Sequence, residues 1–279
     1  MLPNFLVIGA MKGGTTSLYN YLRLHPEVFM PVTKELHYFV AEKNLSRGVG
    51  WYERRFREAG DAVAVGEAST DYTKYPLYQG VPERIAERIP RVRLIYVIRN
   101  PVERIRSHYL HDLARGRERR TIGAAVSGNE HYLAPSRYAL QIEEYLKHFP
   151  REQLLLMTSE SLRNDRSAAL RRVHEFIGVD SGWSAPDQYR EYNQTSAKTT
   201  PSVLLRAARY VPGAARLRLR APQQVMAAER LLGSTRRPVD IQAGTMSEEL
   251  QRELIDELTP DLKRLGGYLD ENFDAWGLL

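Results

Sequence analysis

The stretch Leu6-Val-Ile-Gly-Ala-Met-Lys-Gly-Gly-Thr-Thr-Ser17 joins a short apolar run to a glycine-rich loop. From 15 to 24 the apolar side chains follow helical spacing, so the stretch predicts a strand, a loop and a helix in that order. Glycines let a backbone approach a phosphate closely, and a helix N-terminus presents unpaired N–H groups and a positive dipole end. We therefore expect phosphate binding by six residues of this loop: Lys12, Gly13, Gly14, Thr15, Thr16 and Ser17.

The loop differs from the one that binds nucleoside triphosphates. Gly9 and Gly14 have the spacing of the Gly-x-x-x-x-Gly-Lys-Ser/Thr motif, but Thr15 occupies the lysine position and the lysine lies earlier, at Lys12. The triphosphate loop uses its lysine on the β- and γ-phosphates and its hydroxyl on Mg²⁺. A shifted lysine suits a shorter anion and does not require a metal. A P-loop-type kinase or phosphotransferase that uses a nucleoside triphosphate is the alternative interpretation.

The other apolar runs alternate between strand and helix patterns. Strands are predicted over 62–66, 92–98 and 153–157. Helices are predicted over 82–89, 102–113, 138–149, 168–177 and 247–257, the last with Ser247 as its N-cap. This alternation indicates an α/β fold, with a P-loop-like, doubly wound parallel sheet flanked by helices on both faces. We expect a single domain over 1–279.

Composition limits the chemistry that the chain can carry. Its 279 residues include no cysteine, which excludes disulfides, thiol nucleophiles, iron–sulfur clusters and thiolate zinc sites. No run approaches the roughly 18 apolar residues of a membrane-spanning helix, and the first residues lack the basic region of a signal peptide. We expect a soluble cytoplasmic protein. We also expect no metal, since His25, His108 and His111 lack ligand partners at a useful sequence spacing.

The positive charge is concentrated in one segment. The chain carries 40 Lys and Arg against 34 Asp and Glu, a net charge of +6, and residues 197–237 alone have nine basic residues against Glu229, a local charge of +8. Such a segment fits a solvated face, an acidic acceptor or transient association with an anionic membrane surface. A nucleic-acid partner is not expected, because no nucleic-acid-binding signature accompanies the charge. Residues 197–244 are predicted to form a mobile or inserted basic segment.

A second pair of anion-binding residues follows the clearest strand. Arg99 comes directly after the strand predicted over 92–98, Pro101 begins the next helix, and Ser107 lies inside that helix. A strand-to-helix turn can bring both side chains toward one point, where arginine offers a planar fork and serine a hydroxyl donor to a phosphate. Ligands of open α/β sheets bind at the carboxyl ends of the strands, so Arg99 and Ser107 are predicted to bind a cofactor.

These motifs resemble those of the sulfotransferase superfamily, whose members use 3′-phosphoadenosine 5′-phosphosulfate (PAPS). The resemblance is strongest to the branch of heparan sulfate O- and N-sulfotransferases and their bacterial relatives, and it is carried by the segments 8–17, 34–39, 48–52, 94–109, 136–150 and 262–276. It implies that the loop around Lys12 holds the 5′-phosphosulfate and that Arg99 and Ser107 hold the 3′-phosphate. It further implies transfer of a sulfuryl group to an acceptor hydroxyl, with 3′,5′-adenosine bisphosphate as product and no metal.

The segment Lys34-Glu-Leu-His-Tyr-Phe39 is similar to the family's Lys-Glu-x-His-Phe-Phe motif. The resemblance implies that Glu35 is the general base for in-line attack, that Lys34 helps bind the phosphosulfate, and that Lys12 neutralises charge on the leaving oxygen. His37 shares a face with Glu35 if the backbone is extended, and it either orients the glutamate or is itself the base. Glu35, Lys12 and His37 are therefore the predicted catalytic residues. Because Lys12 and Glu35 are both present, a non-catalytic protein that binds PAPS or a lipid surface is a weaker interpretation.

The sequence leaves the acceptor open as a small molecule, a glycan or a lipid. Val40 and Ala68 stand where glycan-acting members of the family carry Asp and Lys, which argues against a heparan-like chain. Three further residues are predicted on the acceptor side of the site: Glu67, Ser69 and Tyr72.

Overall fold

Five parallel strands form the main sheet of the computed structural model, which describes residues 1–186, 199–200, 237–238, 240–269 and 273–279. The strands are β1 (Phe5–Gly9), β2 (Val28–Phe29), β3 (Ala64–Ala68), β4 (Arg93–Ile98) and β5 (Leu154–Thr158). Their order across the sheet is β2-β3-β1-β4-β5. From β1 the chain crosses to the edge strand β2, returns to β3 beside β1, and then continues on the other side of β1 through β4 and β5, which is a doubly wound arrangement. Two short strands, β6 (Thr199–Thr200) and β7 (Arg237–Pro238), form a separate antiparallel pair.

Both faces of the main sheet are buried, as its continuously apolar strands require. Leu6 of β1 points into one core, and its neighbours Phe5 and Val7 point into the other. In the register of the sheet, Phe5 pairs with Gly66 of β3 and with Arg93 of β4. Gly66 leaves room for the Phe5 ring, because a Cβ atom at Gly66 would lie 2.3 Å from the ring.

Helices cover both faces of the sheet. In chain order they are α1 (Thr15–Leu22), α2 (Val49–Glu53), α3 (Val81–Arg88), α4 (Pro101–Arg115), α5 (Ile122–Val126), α6 (Glu130–Leu133), α7 (Tyr138–Leu146), α8 (Ser159–Asn164), α9 (Arg166–Ile177) and α10 (Glu248–Leu265). α1, α8 and α9 pack on the core that contains Val7, whereas α3, α4, α7 and α10 pack on the core that contains Leu6. The α/β fold predicted from the sequence is therefore confirmed.

Some elements begin or end away from their predicted bounds. β3 lies two residues later than predicted, because Val63 is half exposed in a bend before the strand. The last helix, α10, runs beyond the predicted end at 257, because Leu258 and Leu262 continue its buried stripe toward Leu265. Ser247 is the N-cap of α10, as predicted.

The predicted basic segment over 197–244 falls outside the described residues except at 199–200, 237–238 and 240–244. Its mobility and its association with membranes stay predictions, as does the single domain over 1–279. Within the part of the chain that the structure describes, no helix combines the length and the apolar character needed to span a membrane.

Candidate active site

A cleft of 1130 Å³ opens at the carboxyl ends of β1, β3 and β4. Its walls include Met11 after β1, Thr70 after β3 and Arg99 after β4. Ligands of parallel sheets bind at this edge, where the strand order reverses about the first strand. Most of the predicted site residues, from four separate segments, meet there: Lys12, Gly14, Thr15, Thr16, Ser17, Glu35, His37, Arg99 and Ser107.

Close backbone contacts between β1 and β4 shape the glycine loop. A Cβ atom on Gly13 would come within 2.4 Å of the Val97 carbonyl oxygen of β4. Gly14, the N-cap of α1, has a left-handed φ of 98°, which favours glycine because it has no Cβ. The two glycines place the N-terminus of α1 at the cleft, where the helix dipole favours a bound anion. Gly13, which was predicted to bind the phosphate, packs against β4 and shapes the loop.

Arg99 and Ser107 lie in the same cleft as the glycine loop. Arg99 follows β4, and Ser107 lies within α4, whose N-cap Asn100 accepts a hydrogen bond from the Glu103 N–H at 3.1 Å. The Arg99 guanidinium lies 3.4 Å from the Glu103 carboxylate. The cleft therefore brings together both predicted sets of anion-binding residues, one in the glycine loop and the other at Arg99 and Ser107.

The carboxylate of Glu35 is held by Thr70 and Lys34. Thr70 donates to Glu35 Oε2 from its backbone N–H at 2.8 Å and from its hydroxyl at 3.2 Å. Lys34 Nζ pairs with Glu35 Oε1 and lies 3.5 Å from Thr15 Oγ1 on the glycine loop. These contacts orient the carboxylate beside the glycine loop, and they leave further lone pairs for a proton from a ligand in the cleft.

The His37 imidazole lies between two carboxylates. Its Nε2 is 3.8 Å from Glu35 Oε2, and its Nδ1 is 3.3 Å from Asp71 Oδ2. Burial lowers the pKa of His37 and outweighs the opposing effect of Asp71 and Glu35, so the ring is neutral at neutral pH. The backbone here is not extended, since Glu35 and His37 have φ values of 65° and 49°. Such left-handed conformations cost on the order of 1–3 kcal/mol each outside glycine, so the surrounding structure must hold this loop.

A charged cluster around Asp71 was missed by the sequence reasoning. The buried Asp71 carboxylate pairs with Lys43 and lies 2.6 Å from Lys74 Nζ. Burial alone would raise the pKa of Asp71, but Lys74, His37 and Lys43 together outweigh it and hold the pKa at about 2. These residues line the cleft. The one signal in the sequence is the spacing of three residues between Asp71 and Lys74, which is too common to indicate a site.

Glu67, Ser69 and Tyr72 lie beneath the cleft rather than on its acceptor side. Each is at most 2% exposed, and the Ser69 and Tyr72 hydroxyls both donate to the Glu67 carboxylate. The register of the sheet explains the error. Glu67 pairs with Leu6 of β1, so its side chain points into the same core as Leu6.

The expectation that His108 lacks ligand partners was also wrong. His108, Asp112 and His131 place ligand atoms within 4.8 Å of one another, with Asp112 Oδ2 at 3.4 Å from His108 Nε2 and 2.9 Å from His131 Nε2. Sequence reasoning missed the cluster because His131 comes from α6 rather than α4. A histidine that binds a metal through one ring nitrogen donates its other N–H to a hydrogen-bond acceptor. Arg104 Nη1, which can only donate, lies 3.5 Å from His108 Nδ1. The positive charge and the donor both disfavour a metal ion at this cluster.

Fold and cleft together define an α/β protein whose cleft is lined by basic and hydroxyl side chains around an oriented carboxylate. The chain matches the family described as the sulfotransferase domain over residues 2–203. It belongs to the sulfotransferase family, and the family predicted from its motifs is confirmed.

Relatives in this family include heparan sulfate enzymes. The chain is 30% identical over 204 residues to heparan sulfate glucosamine 3-O-sulfotransferase 3B1 of Mus musculus, a match that covers 70% of this chain and 50% of the relative. It is 30% identical over 201 residues to bifunctional heparan sulfate N-deacetylase/N-sulfotransferase 2 of Homo sapiens, covering 64% of this chain and 22% of that protein. The predicted resemblance to the heparan sulfate branch is confirmed, although the chain spans half the length of the first relative and less of the second.

Solved structures share the fold. A sulfotransferase from Alicyclobacillus acidocaldarius is similar with a TM-score of 0.71 and 25% identity, and the match covers 99% of both chains. The sulfotransferase domain of the Synechococcus PCC 7002 olefin synthase is similar in fold with a TM-score of 0.53 at 13% identity, covering 93% of this chain and 94% of that domain. The sulfotransferase form of the α/β fold is thus confirmed.

Proposed function

We propose that the protein transfers the sulfuryl group of PAPS to an acceptor hydroxyl, with Glu35 as the general base. The observation that carries this proposal is the position of Lys34 Nζ, which pairs with Glu35 and lies 3.5 Å from Thr15 Oγ1. A single ammonium thus joins the base to the anion-binding loop. An acceptor hydroxyl near Glu35 would be next to a group bound by that loop, as in-line transfer requires.

The residues of the cleft fit such a donor. Gly13 allows close packing of the loop on β4, and the first turn of α1 supplies N–H groups to an anion. Lys12 and Thr15 would hold the 5′-phosphosulfate. Arg99, which follows β4, and Ser107, within α4, would hold the 3′-phosphate. PAPS supplies the activated sulfuryl group, and the chain supplies binding, orientation and proton removal.

The proposed step balances without a metal or a further reactant. A bond forms between the acceptor oxygen and sulfur, the bond from sulfur to the phosphate oxygen breaks, and the acceptor proton passes to Glu35. Lys12 neutralises the charge that grows on the leaving oxygen. His37 Nε2 lies 3.8 Å from the Glu35 carboxylate, a gap that must close to a hydrogen bond for His37 to orient Glu35 when substrate is bound. The alternative base is His37 itself, which is neutral and so able to accept a proton.

A polar acceptor fits the wall of the cleft that carries the Asp71 cluster. Lys43 and Lys74 share the one carboxylate of Asp71, so this wall is net positive. The names of two relatives refer to heparan sulfate. We therefore favour a hydroxyl-bearing glycan or an acidic small molecule over a lipid.

The kinase interpretation has weaker support. Thr15 occupies the position of the lysine that a nucleoside triphosphate loop requires. The first residues after the five strands of the main sheet are Ala10, Met30, Ser69, Arg99 and Ser159. An aspartate for Mg²⁺ is expected at such a position. Asp71 lies nearby, but Lys43 and Lys74 already occupy its carboxylate.

The decisive experiment is an acceptor screen with labelled PAPS, run with and without EDTA. We expect turnover that EDTA does not inhibit, loss of turnover in Lys12→Ala, and an inactive Glu35→Ala that still binds 3′,5′-adenosine bisphosphate. Comparison of Glu35→Gln with His37→Asn identifies the base, since only loss of the base abolishes turnover. Hydrolysis of ATP that depends on Mg²⁺, or an active Glu35→Ala, would contradict the proposal.

A further inference from the structure

Glu67 is a buried carboxylate surrounded by hydroxyl groups. It lies near the end of β3 and is 1% exposed. Tyr52 and Tyr72 donate to its Oε1 at 3.1 and 2.6 Å, and Ser69 donates to its Oε2 at 2.6 Å. Three hydroxyl groups therefore point their hydrogens at one carboxylate.

Two of these hydroxyls also hold the loop that carries the proposed base. The His37 N–H donates to Ser69 Oγ at 2.9 Å, and the Tyr38 N–H donates to the Tyr72 hydroxyl at 3.0 Å. A hydroxyl has one hydrogen to donate, and here that hydrogen goes to Glu67. Glu67 thus fixes the direction of both hydroxyls and leaves their lone pairs free for the two amides.

The loop needs this support because of its backbone conformation. Glu35 and His37 both have positive φ values, in a region that residues other than glycine seldom occupy. Such conformations persist only where neighbouring contacts determine them. Two consecutive amides, at His37 and Tyr38, are held by hydroxyls that Glu67 orients.

We infer that Glu67 is a positioning residue, which holds Glu35 and His37 in their reactive geometry through Ser69 and Tyr72. The inference rests on the proposed function, because the geometry in question is that of the proposed base. Glu67 itself lies beneath the cleft and does not contact a ligand.

The network requires the ionised form of Glu67. A protonated carboxyl would have to donate to Tyr52, Ser69 or Tyr72, and in each case one of the three hydroxyl bonds that orient the carboxylate would be lost. Burial raises the pKa of Glu67 to about 7 against the lowering effect of its hydroxyl partners, with a smaller raising effect of Glu35. The titratable groups that face Glu67 are Tyr52, Tyr72, Tyr145 and Glu35. Positioning should therefore weaken as the pH falls through about 7.

Glu67→Gln and Ser69→Ala test this role. The amide introduced by Glu67→Gln accepts at only one of its two terminal atoms, and Ser69→Ala removes the link to the His37 amide. We expect kcat to fall at least about tenfold in both variants, with affinity for 3′,5′-adenosine bisphosphate unchanged. Tyr52→Phe is the matched control. It removes the third hydroxyl bond to Glu67, which lowers the pKa of that carboxyl, but keeps the buried ring and both amide contacts, so kcat should stay at the wild-type value at a pH well above 7, where Glu67 is ionised in both proteins.

Two readouts separate positioning from mere stability. In the wild type, kcat should decline on the acid side near the pKa of Glu67, and Glu67→Gln should lack this decline. Hydrogen exchange of the His37 and Tyr38 amides should accelerate in Glu67→Gln and Ser69→Ala, but not in Tyr52→Phe. This exchange readout does not require activity, so failure of the proposed function leaves it interpretable. Unchanged kcat and unchanged amide exchange in Ser69→Ala would overturn the inference, even if Glu67→Gln failed to fold.

Discussion

Lys34 Nζ lies 3.5 Å from Thr15 Oγ1, so a residue of the 34–37 loop touches the first turn of the helix that follows the glycine loop. The same ammonium pairs with the Glu35 carboxylate. One side chain thus links an anion-binding loop to a carboxylate oriented by Thr70. In the proposed reaction, this ammonium would lie between the sulfuryl group and the base, where it can stabilise negative charge on either.

Replacing Lys34 with methionine removes this charge and keeps most of the side-chain volume. We expect kcat/KM for PAPS to fall about 100- to 1000-fold, since a preorganised donor near developing charge contributes on this scale. Steady-state kinetics with varied PAPS measure the loss. Lys147→Met is the control, because Lys147 is an exposed lysine that also pairs with a neighbouring glutamate. Equal activities for the two variants would show that Lys34 has no special role.

Gly13→Ala tests the packing of the glycine loop on β4. Its Cβ would lie 2.4 Å from the Val97 carbonyl oxygen and 3.1 Å from the Ala10 carbonyl oxygen. Both are backbone atoms, so the loop must shift, at a cost of about 1–3 kcal/mol in the free energy of unfolding. Binding of 3′,5′-adenosine bisphosphate, measured by calorimetry, should weaken as well. Gly266→Ala is the matched control, because a Cβ there meets no atom of the described residues within 4 Å, and it should leave stability and binding intact.

Asp71→Asn should reduce stability in a manner that depends on pH. In the folded protein the pKa of Asp71 is about 2, below its ordinary value of 3.8. Its ionised form is therefore favoured by folding, by about 2 kcal/mol. That stability is present above the ordinary value and is lost as the pH falls through the folded value. Urea unfolding should show a deficit of the variant near neutral pH that narrows below about pH 4, and a deficit independent of pH would contradict the prediction.

Arg104 is a buried cation that connects three parts of the site. Its guanidinium donates to the Tyr132 carbonyl and the Ser136 hydroxyl and lies 3.4 Å from the Met11 carbonyl of the glycine loop. Arg104→Met leaves buried acceptors without donors, each at a cost of about 1–3 kcal/mol in the free energy of unfolding. We expect a lower midpoint of urea unfolding and weaker bisphosphate binding. Arg252→Met, on the exposed face of α10, should change neither quantity.

Local chemistry explains what could be predicted from the sequence. The strand, loop and helix around Lys12 follow from short-range periodicity and from the conformational freedom of glycine. Arg99 and Ser107 were placed in one cleft because a strand end and the following helix are adjacent both in sequence and in space. The sheet, the glycine loop and the second anion-binding pair are therefore present in the structure largely as expected.

Tertiary relationships explain what could not be predicted. Lys43 and Asp71 are in contact only because separate loops converge on one wall of the cleft, and no periodicity in the sequence predicts such a contact. Glu67 was placed on the acceptor side because the segment 66–72 resembles one that holds the acceptor in glycan-acting members of the family, whereas the register of β3 against β1 directs its side chain inward. Glu35 and His37 themselves have left-handed backbone conformations, and these bring their side chains together where an extended backbone was considered. The amino-acid sequence does not indicate backbone strain of this kind.

The attachment of the 34–37 loop to β3 has a consequence for acceptor choice. The Glu35 N–H donates to the Ala68 carbonyl at 3.0 Å, and β3 pairs along its length with β1, from which the glycine loop emerges. Neighbouring strands lie about 4.8 Å apart, so the pitch of the sheet sets the gap between these two loops. Lys43 and Lys74 line the cleft beside that loop, and their exchange alters which molecules are admitted without resetting that gap. Lys43 and Lys74 can therefore change the choice of acceptor, while the pairing of β1 with β3 keeps the reaction geometry the same.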